Sequence, residues 1–365
     1  MDSYQNILGS PREAIDTPSL VIDLDALDRN IKRMADFFAA VPANLRPHSK
    51  THKTPIIAKK QIEAGARGIT CAKVGEAEVM VQGGIDDILI ANEVVGATKI
   101  ARLVGLARHA KMTVAVDDAR NVADLSEAAR AAGAILGVLV EVNVGMDRCG
   151  VEPGEPALAL ARRVLESPGL QLRGLMGYEG HTVTIPDRAQ REAAARAAMK
   201  LLVDTRDLLV SRDVPVEVVS SGGTGTYDIT GRYPGVTEVE AGSYATMDGD
   251  YARLGLPFEN ALTLLATVIS RPSSDRAILD FGLKSATPDH GVPQPKDRSL
   301  GEITRLSEEH ARLDLKPGAN PRPGDKIEVI PGHGCTTINL HDRFYGVRDG
   351  RVETVWEIAA RGRFR

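Results

Sequence analysis

Gly137-Val-Leu-Val-Glu-Val-Asn143 is apolar at consecutive rather than alternate positions and turns polar only at its end. A strand of that kind leaves no face for water, the pattern of a parallel strand covered on both sides. Seven further runs repeat it: RPHSK, ITCAK, ILIAN and VAVDD before it, GLMGY, VVSSGG and VEAGSY after it, beginning near Leu45, Gly68, Asp87, Thr113, Leu172, Glu217 and Glu238. Helical stretches lie between them. Ala97 to Lys111 sets Ile100, Val104 and Ala107 on one stripe, and Asp187 to Arg212 carries the Ala/Leu/Arg pattern of an amphipathic crossover helix. Eight β/α units in about 230 residues predict an α/β fold built as a (β/α)8 barrel rather than an open doubly wound sheet.

Past Tyr251 the texture changes. LTLLATVIS, RAILDFG, KIEVIP, FYGVRDG and RVETVWEIA alternate with Pro/Gly/Asp turns, which predicts a second, mostly β C-terminal domain. The expected division is a barrel over residues 18–253 and a β domain made of residues 1–17 and 254–365. Asp16 to Asp23 is also strand-like, and through it the N-terminus could join the β domain.

The chain has 365 residues with 45 Lys plus Arg against 49 Asp plus Glu, a formal charge of −4, so no basic excess exists to neutralise a nucleic-acid backbone. Its 43% hydrophobic and 26% charged residues suit a folded globular chain. The longest apolar run, Ala131 to Val140, has ten residues, too few to cross a bilayer. The opening MDSYQNILGSPREAIDTP lacks the basic and apolar regions of a signal peptide, so a cytoplasmic protein without nucleic-acid or membrane partners is expected. Cys71, Cys149 and Cys335 lie far apart and read as free thiols, Cys71 as a small buried hydrophobe.

Barrel enzymes act at the C-terminal ends of their strands. Lys50 closes the first run, in Arg46-Pro-His-Ser-Lys50-Thr-His-Lys53, where Pro47 and Pro55 disfavour helix. A lysine desolvated there among other cations can form a Schiff base; taken alone it reads more readily as a solvated surface lysine. Ser220-Ser-Gly-Gly-Thr-Gly-Thr226 after Val218-Val219 is the kind of late-strand turn that holds a phosphate, or simply a turn. Glu240, in Glu240-Ala-Gly-Ser-Tyr244, suits the protonated nitrogen of a pyridine ring, or an ordinary ion pair. In Pro331-Gly-His333-Gly-Cys335-Thr336, one spacer on an extended segment would put imidazole and thiolate on one face, a Zn-type N/S pair or a structural turn.

Together these motifs resemble the fold-type III pyridoxal-phosphate enzymes, the alanine racemase and ornithine decarboxylase group, and within it the D-threonine aldolase and D-serine dehydratase family. The resemblance runs in order through Asp16-Thr-Pro-Ser19, Arg46-Pro-His-x-Lys50, Asn92-Glu-Val-Val-Gly96, Arg148-Cys-Gly-Val151, Gly222-Gly-Thr-Gly225, Glu240 to Asp250, Leu279 to Lys284, Asn339-Leu-His-Asp342 and Trp356 to Gly362, nearly the whole chain. It implies pyridoxal 5'-phosphate joined to Lys50. It also implies a phosphate held by Ser221, Gly222, Gly223 and Thr224 with backbone near Gly242, Ser243 and Tyr244. Tyr178 would stack on the ring, Arg148 would lie near its phenolic oxygen and Glu240 would face its nitrogen. A divalent metal (Mn, Mg or Zn) at His333 and Cys335 follows from the same resemblance.

By that likeness the chain is an enzyme, a metal-activated lyase of the D-threonine aldolase kind that cleaves D-β-hydroxy-α-amino acids by retro-aldol reaction. Cys335 leans instead toward the dehydratases, which release a keto acid and ammonia from D-serine or 3-hydroxy-D-aspartate. A non-enzymatic carrier of the cofactor lacks a β domain and fits poorly. The aldolase histidine that takes the hydroxyl proton falls at Thr184, and either His181 or metal-held hydroxide would replace it. A homodimer is implied. Lys284, Asp289 and His290 share a loop that could reach a partner's site, although Asp289 reads better as a solvated residue.

Overall fold

A computed structural model describes residues 5–365; the part of the 1–17 segment that precedes residue 5 lies outside the described residues. Backbone contacts divide the chain into two units. One holds residues 34–50, 55–242 and 362–365; the other holds the described residues through Arg33 together with Thr51–Thr54 and Ser243–Arg361. The sequence boundaries at 17/18 and 253/254 differ from these, because the strand Ser19–Asp23 pairs with Leu262–Ser273 and Arg343–Arg348 of the β unit.

The first unit is an eight-stranded parallel sheet in the order Asn44–Leu45, Glu238–Val239, Val218–Ser221, Leu170–Met176, Leu136–Glu141, Lys111–Val116, Asp87–Glu93, Ile69–Cys71. Seven of these strands overlap the apolar runs, and the first, Asn44–Leu45, ends just before RPHSK. The two ends of the sheet meet through the His48–Thr70 bridge and the bond from Arg67 N–H to Leu45 O at 2.9 Å. Leu89, Ala115, Leu139, Met176 and Val218, from five strands, make one buried cluster, so the barrel is filled rather than hollow. The crossover helix Arg188–Ser211 is capped by Asp187, whose carboxylate accepts Gln190 N–H at 2.8 Å. Helix Ala97–Leu106 buries Ile100, Leu103 and Val104 as its period requires. Cys71 is fully buried and unpaired by disulfide.

The second unit is a nine-stranded sheet. Its main path runs Gly301–Leu306, Ala311–Leu315, Arg276–Leu279, Leu262–Ser273, Ser19–Asp23, Arg343–Arg348, Arg351–Glu357, with Lys326–Ile330 pairing Leu262–Ser273 and Gln294–Pro295. Ser19–Asp23 and Arg343–Arg348 pair in parallel. Ile15, Val21, Leu265, Val347 and Val352 pack as its core. No helix among the described residues is long and apolar enough to cross a membrane.

Candidate active site

The barrel mouth takes its chemistry from residues just past strand ends. Lys50 lies on a turn between the His48 bridge and the helix Pro55–Glu63, with Pro55 at that helix's first position, where a missing N–H costs nothing. It is half-buried. Its Nζ sits 5.6 Å from the centroid of the Tyr178 ring, and the Arg148 guanidinium carbon sits 5.6 Å from the same centroid. Tyr178 follows Leu170–Met176 and Arg148 follows Leu136–Glu141, so an amine, a ring and a guanidinium gather at the ends where a barrel presents reactive groups.

Glu240 stands one residue beyond Glu238–Val239 and accepts the Ser220 hydroxyl at 2.9 Å. Burial pushes its pKa up to about 7 and the charge of Glu238 adds to the rise, against the pull of Ser220, Lys50 and Arg46. The group therefore titrates near neutrality, where a positive partner would fix it as a carboxylate.

The glycine-rich turn is organised by a residue the sequence did not single out. Glu179, fully buried, accepts from Ser221 Oγ at 2.8 Å, Gly222 N–H at 3.0 Å, Thr226 Oγ1 at 2.8 Å and Thr230 Oγ1 at 2.6 Å. Of the residues expected to face a ligand, the Ser221 hydroxyl and the Gly222 N–H turn inward to this carboxylate, since a buried carboxylate needs donors. Gly222 has φ +85°, which a side chain would strain. A Cβ at Gly223 would meet the Tyr178 hydroxyl at 3.3 Å, and one at Gly225 would fall 1.7 Å from Val183 O. The turn therefore closes tightly under the Tyr178 segment, with Gly223 and buried Thr224 at its head. His181 is exposed, its ring beside Gly145.

A second unforeseen cluster adjoins Arg148. Glu93, Glu141 and Cys149 present ligand atoms within 4.8 Å of one another, and Arg148 Nη2 approaches Glu141 at 3.6 Å. Burial, then the hydrogen bond and charge of Glu93, push Glu141 up to about 9. Burial, then Glu93 and Glu141, push the Cys149 thiol up to about 11.

In the β unit the segment read as extended turns helical at once. His333 has φ −129° and ψ 119° at the N-cap of helix Gly334–Ile338, and Cys335 lies in its first turn. Imidazole and thiolate still hydrogen-bond, because the extended cap residue doubles back onto the turn. Burial works against charge on His333, but Cys335, Asp289 and Asp248 outweigh it and push its pKa up to about 10. Burial likewise opposes the Cys335 thiolate, and the bonds from His333 and Thr51 overcome it, so the thiol is lowered. Asp248 accepts Gly334 N–H at 2.9 Å, and Cys335 Sγ lies 3.3 Å from Thr51 Oγ1 and 3.8 Å from Ser243 Oγ. Asp289 is exposed, as expected of a loop residue, and also pairs with His333 Nδ1 at 2.7 Å, which fixes how that ring is turned. His290 Nδ1 meets Asp250 at 2.8 Å. Lys284 is exposed and pairs with Glu308 and Glu309. The run expected to supply backbone near a phosphate is divided between the units, Gly242 in the barrel and Ser243 and Tyr244 in the β unit, where the buried Tyr244 ring packs on Phe258 at 5.6 Å.

Barrel, appended β sheet and mouth chemistry define an alanine racemase-like enzyme. Residues 22–250 match the alanine racemase N-terminal domain, and residues 261–347, which include His333 and Cys335, match a serine dehydratase domain. The chain is 43% identical over 359 residues to a D-threonine aldolase of Arthrobacter sp, covering 97% of this chain and 95% of the relative. The solved D-threonine aldolase of Filomicrobium marinum superposes with a TM-score of 0.95 at 44% identity, covering 97% and 98% of the two chains. A D-threo-3-hydroxyaspartate dehydratase of Delftia is 30% identical over 369 residues, covering 94% and 97%. The chain belongs to the D-threonine aldolase and D-serine dehydratase family of pyridoxal-phosphate enzymes.

Proposed function

We propose that the protein is a metal-activated lyase that splits D-β-hydroxy-α-amino acids, D-threonine among them, into glycine and an aldehyde. The likeness to D-threonine aldolases over 97% of the chain carries this reading. The donor set fits the cofactor: a half-buried amine, an aromatic ring beside it, a glycine turn with no room for side chains, and a carboxyl group poised near neutrality. Lys50 would hold its aldehyde carbon, Tyr178 would cover the ring and Arg148 would face the phenolic oxygen. Gly223 and Thr224, with backbone near Gly242, would hold the phosphate, while Ser221 and Gly222 brace them through Glu179. Glu240, as a carboxylate, would keep a proton on the ring nitrogen. When bound, the cofactor supplies the sink for the electron pair left on Cα as the Cα–Cβ bond breaks.

His333 and Cys335 fit a divalent metal by softness and by the second bond each makes, to Asp289 and Thr51. Such an ion supplies Lewis-acid assistance at the substrate hydroxyl. His181, in the exposed loop after Tyr178, would accept the hydroxyl proton. Cys335 favours a second reading, elimination to a keto acid and ammonia, since the dehydratase side of the family pairs histidine with cysteine.

Incubation with D-threonine decides between them. Acetaldehyde plus glycine, lost on chelation and with Cys335→Ala, is the expected outcome; 2-oxobutanoate plus ammonia would replace the aldolase reading with the dehydratase one. Lys50→Ala should abolish both the visible absorbance of the bound cofactor and the borohydride-fixed adduct. The same reading carries a homodimer, to be checked by light scattering.

A further inference from the structure

One hydroxyl proton stands between two carboxylates beneath the barrel mouth. Ser220 Oγ lies 3.0 Å from Glu238 Oε1 and 2.9 Å from Glu240 Oε1. A serine has a single hydrogen to give, so at any moment it serves one acceptor and turns lone pairs to the other. The two acceptors are unequal. Glu238 is also held by Arg46, whose Nε donates to Oε2 at 2.7 Å while its Nη1 donates to Asp87 Oδ1 at 2.7 Å. Glu238 therefore stays compensated when Ser220 turns away. Glu240 does not: among the described residues, Ser220 is its side chain's one hydrogen-bond donor. Ser220 and Glu238 are buried and Arg46 nearly so, so water cannot substitute at their end of the chain.

We propose that Ser220 is a positioning residue that sets the charge of Glu240, holding it as a carboxylate when its proton turns that way and allowing it to protonate when the proton turns to Glu238. The relay Asp87, Arg46, Glu238, Ser220, Glu240 then governs whether a ring nitrogen against Glu240 stays protonated. That last step rests on the reading of Glu240 given above; the relay itself does not. The charged groups facing Glu240 are Glu238 on its own strand end, Lys50 and Arg46 from the segment after the first strand, and Glu141 from the strand Leu136–Glu141. None of these donates a hydrogen bond to it, so the neutral hydroxyl is the group that can switch.

The test follows the Glu240 carboxyl by infrared difference or carbon NMR in cofactor-free protein, with Glu240→Gln assigning the signal. Ser220→Ala should raise its midpoint by about one pH unit, a tenfold fall in the ionised-to-neutral ratio. Ser220→Thr, which keeps the hydroxyl, should restore the wild-type midpoint. Glu238→Gln should lower it, since a negative neighbour is lost and Ser220 is freed to serve Glu240 alone. An unchanged midpoint in Ser220→Ala, or, should that variant not fold, in Glu238→Gln, overturns the proposal. In the loaded enzyme, nitrogen NMR of labelled cofactor separates the two claims. If Glu240 shifts as stated while the ring nitrogen ignores it, the relay stands and the assignment of Glu240 to that nitrogen falls.

Discussion

Four hydrogen bonds converge on one side chain, and their number sets what its removal does. Glu179 receives Ser221, Gly222, Thr226 and Thr230, so Glu179→Ala takes the acceptor from the Gly222 N–H and the Thr226 and Thr230 hydroxyls in a space closed to water, while Ser221 keeps Gly177 O. A loss on the order of 3 kcal/mol or more is expected in urea denaturation. Weakened cofactor binding should accompany it, because the freed turn is the one read as the phosphate cradle; a variant as stable as wild type would refute the assignment. Glu141 makes the second prediction at this scale. Its pKa is raised from 4.5 to about 9 in the folded barrel, so the proton it holds contributes stability that is complete below pH 4.5 and lost as pH rises through about 9. Urea midpoints should therefore fall from pH 5 to pH 9, and Glu141→Gln should fall less; parallel slopes would dismiss the raised pKa of Glu141. Lys50 and Glu240 were legible as candidates from their places at the ends of strand-like runs, and Tyr178 only through the family resemblance. Glu179 and Ser220 were not, since their meaning lies in partners 42 to 51 and 18 to 20 positions away, which no local pattern reports.

At the scale of elements, the barrel strands were readable where burial on both faces keeps the run apolar, as in the wholly buried Leu136–Glu141. The hairpin Gly301–Leu306 and Ala311–Leu315 was not, because Glu302, Arg305 and Arg312 face solvent and break the apolar run. The helix Gly334–Ile338 was misread as extended: Gly-Cys-Thr-Thr-Ile has weak helical propensity, and it forms under the Asp248 carboxylate that takes its first N–H. The glycine turn yields a prediction of the same scale. Since a Cβ at Gly225 would overlap Val183 O, Gly225→Ala must push the segment after Tyr178 off the turn. Cofactor affinity should drop at least tenfold while far-UV dichroism is retained; unchanged affinity would mean the two segments move independently.

Across the whole molecule, the chain passes between the two units at 33/34, 50/51, 54/55, 242/243 and 361/362. A unit joined by one linker can melt alone, but here each is assembled from separated stretches of chain, and unfolding either one releases ends that the other must hold. The shortest stretch is the most telling. Thr51–Thr54 belongs to the β unit, with Thr51, His52 and Thr54 buried and Lys53 O accepting Ala360 N–H at 2.9 Å, while the residues on both sides of it belong to the barrel. Melting the β unit would let go of the tether next to Lys50 and so loosen the barrel segment that carries it. Two-state unfolding is therefore expected despite the two units. The chain supplies its own reporters: the single tryptophan, Trp356, is buried in the β unit, whereas the long helices that dominate far-UV dichroism, Arg188–Ser211 and Ala119–Ala132 among them, belong to the barrel. Tryptophan fluorescence and dichroism should trace one coincident curve in urea, and two separated midpoints would show that the crossings do not couple the units.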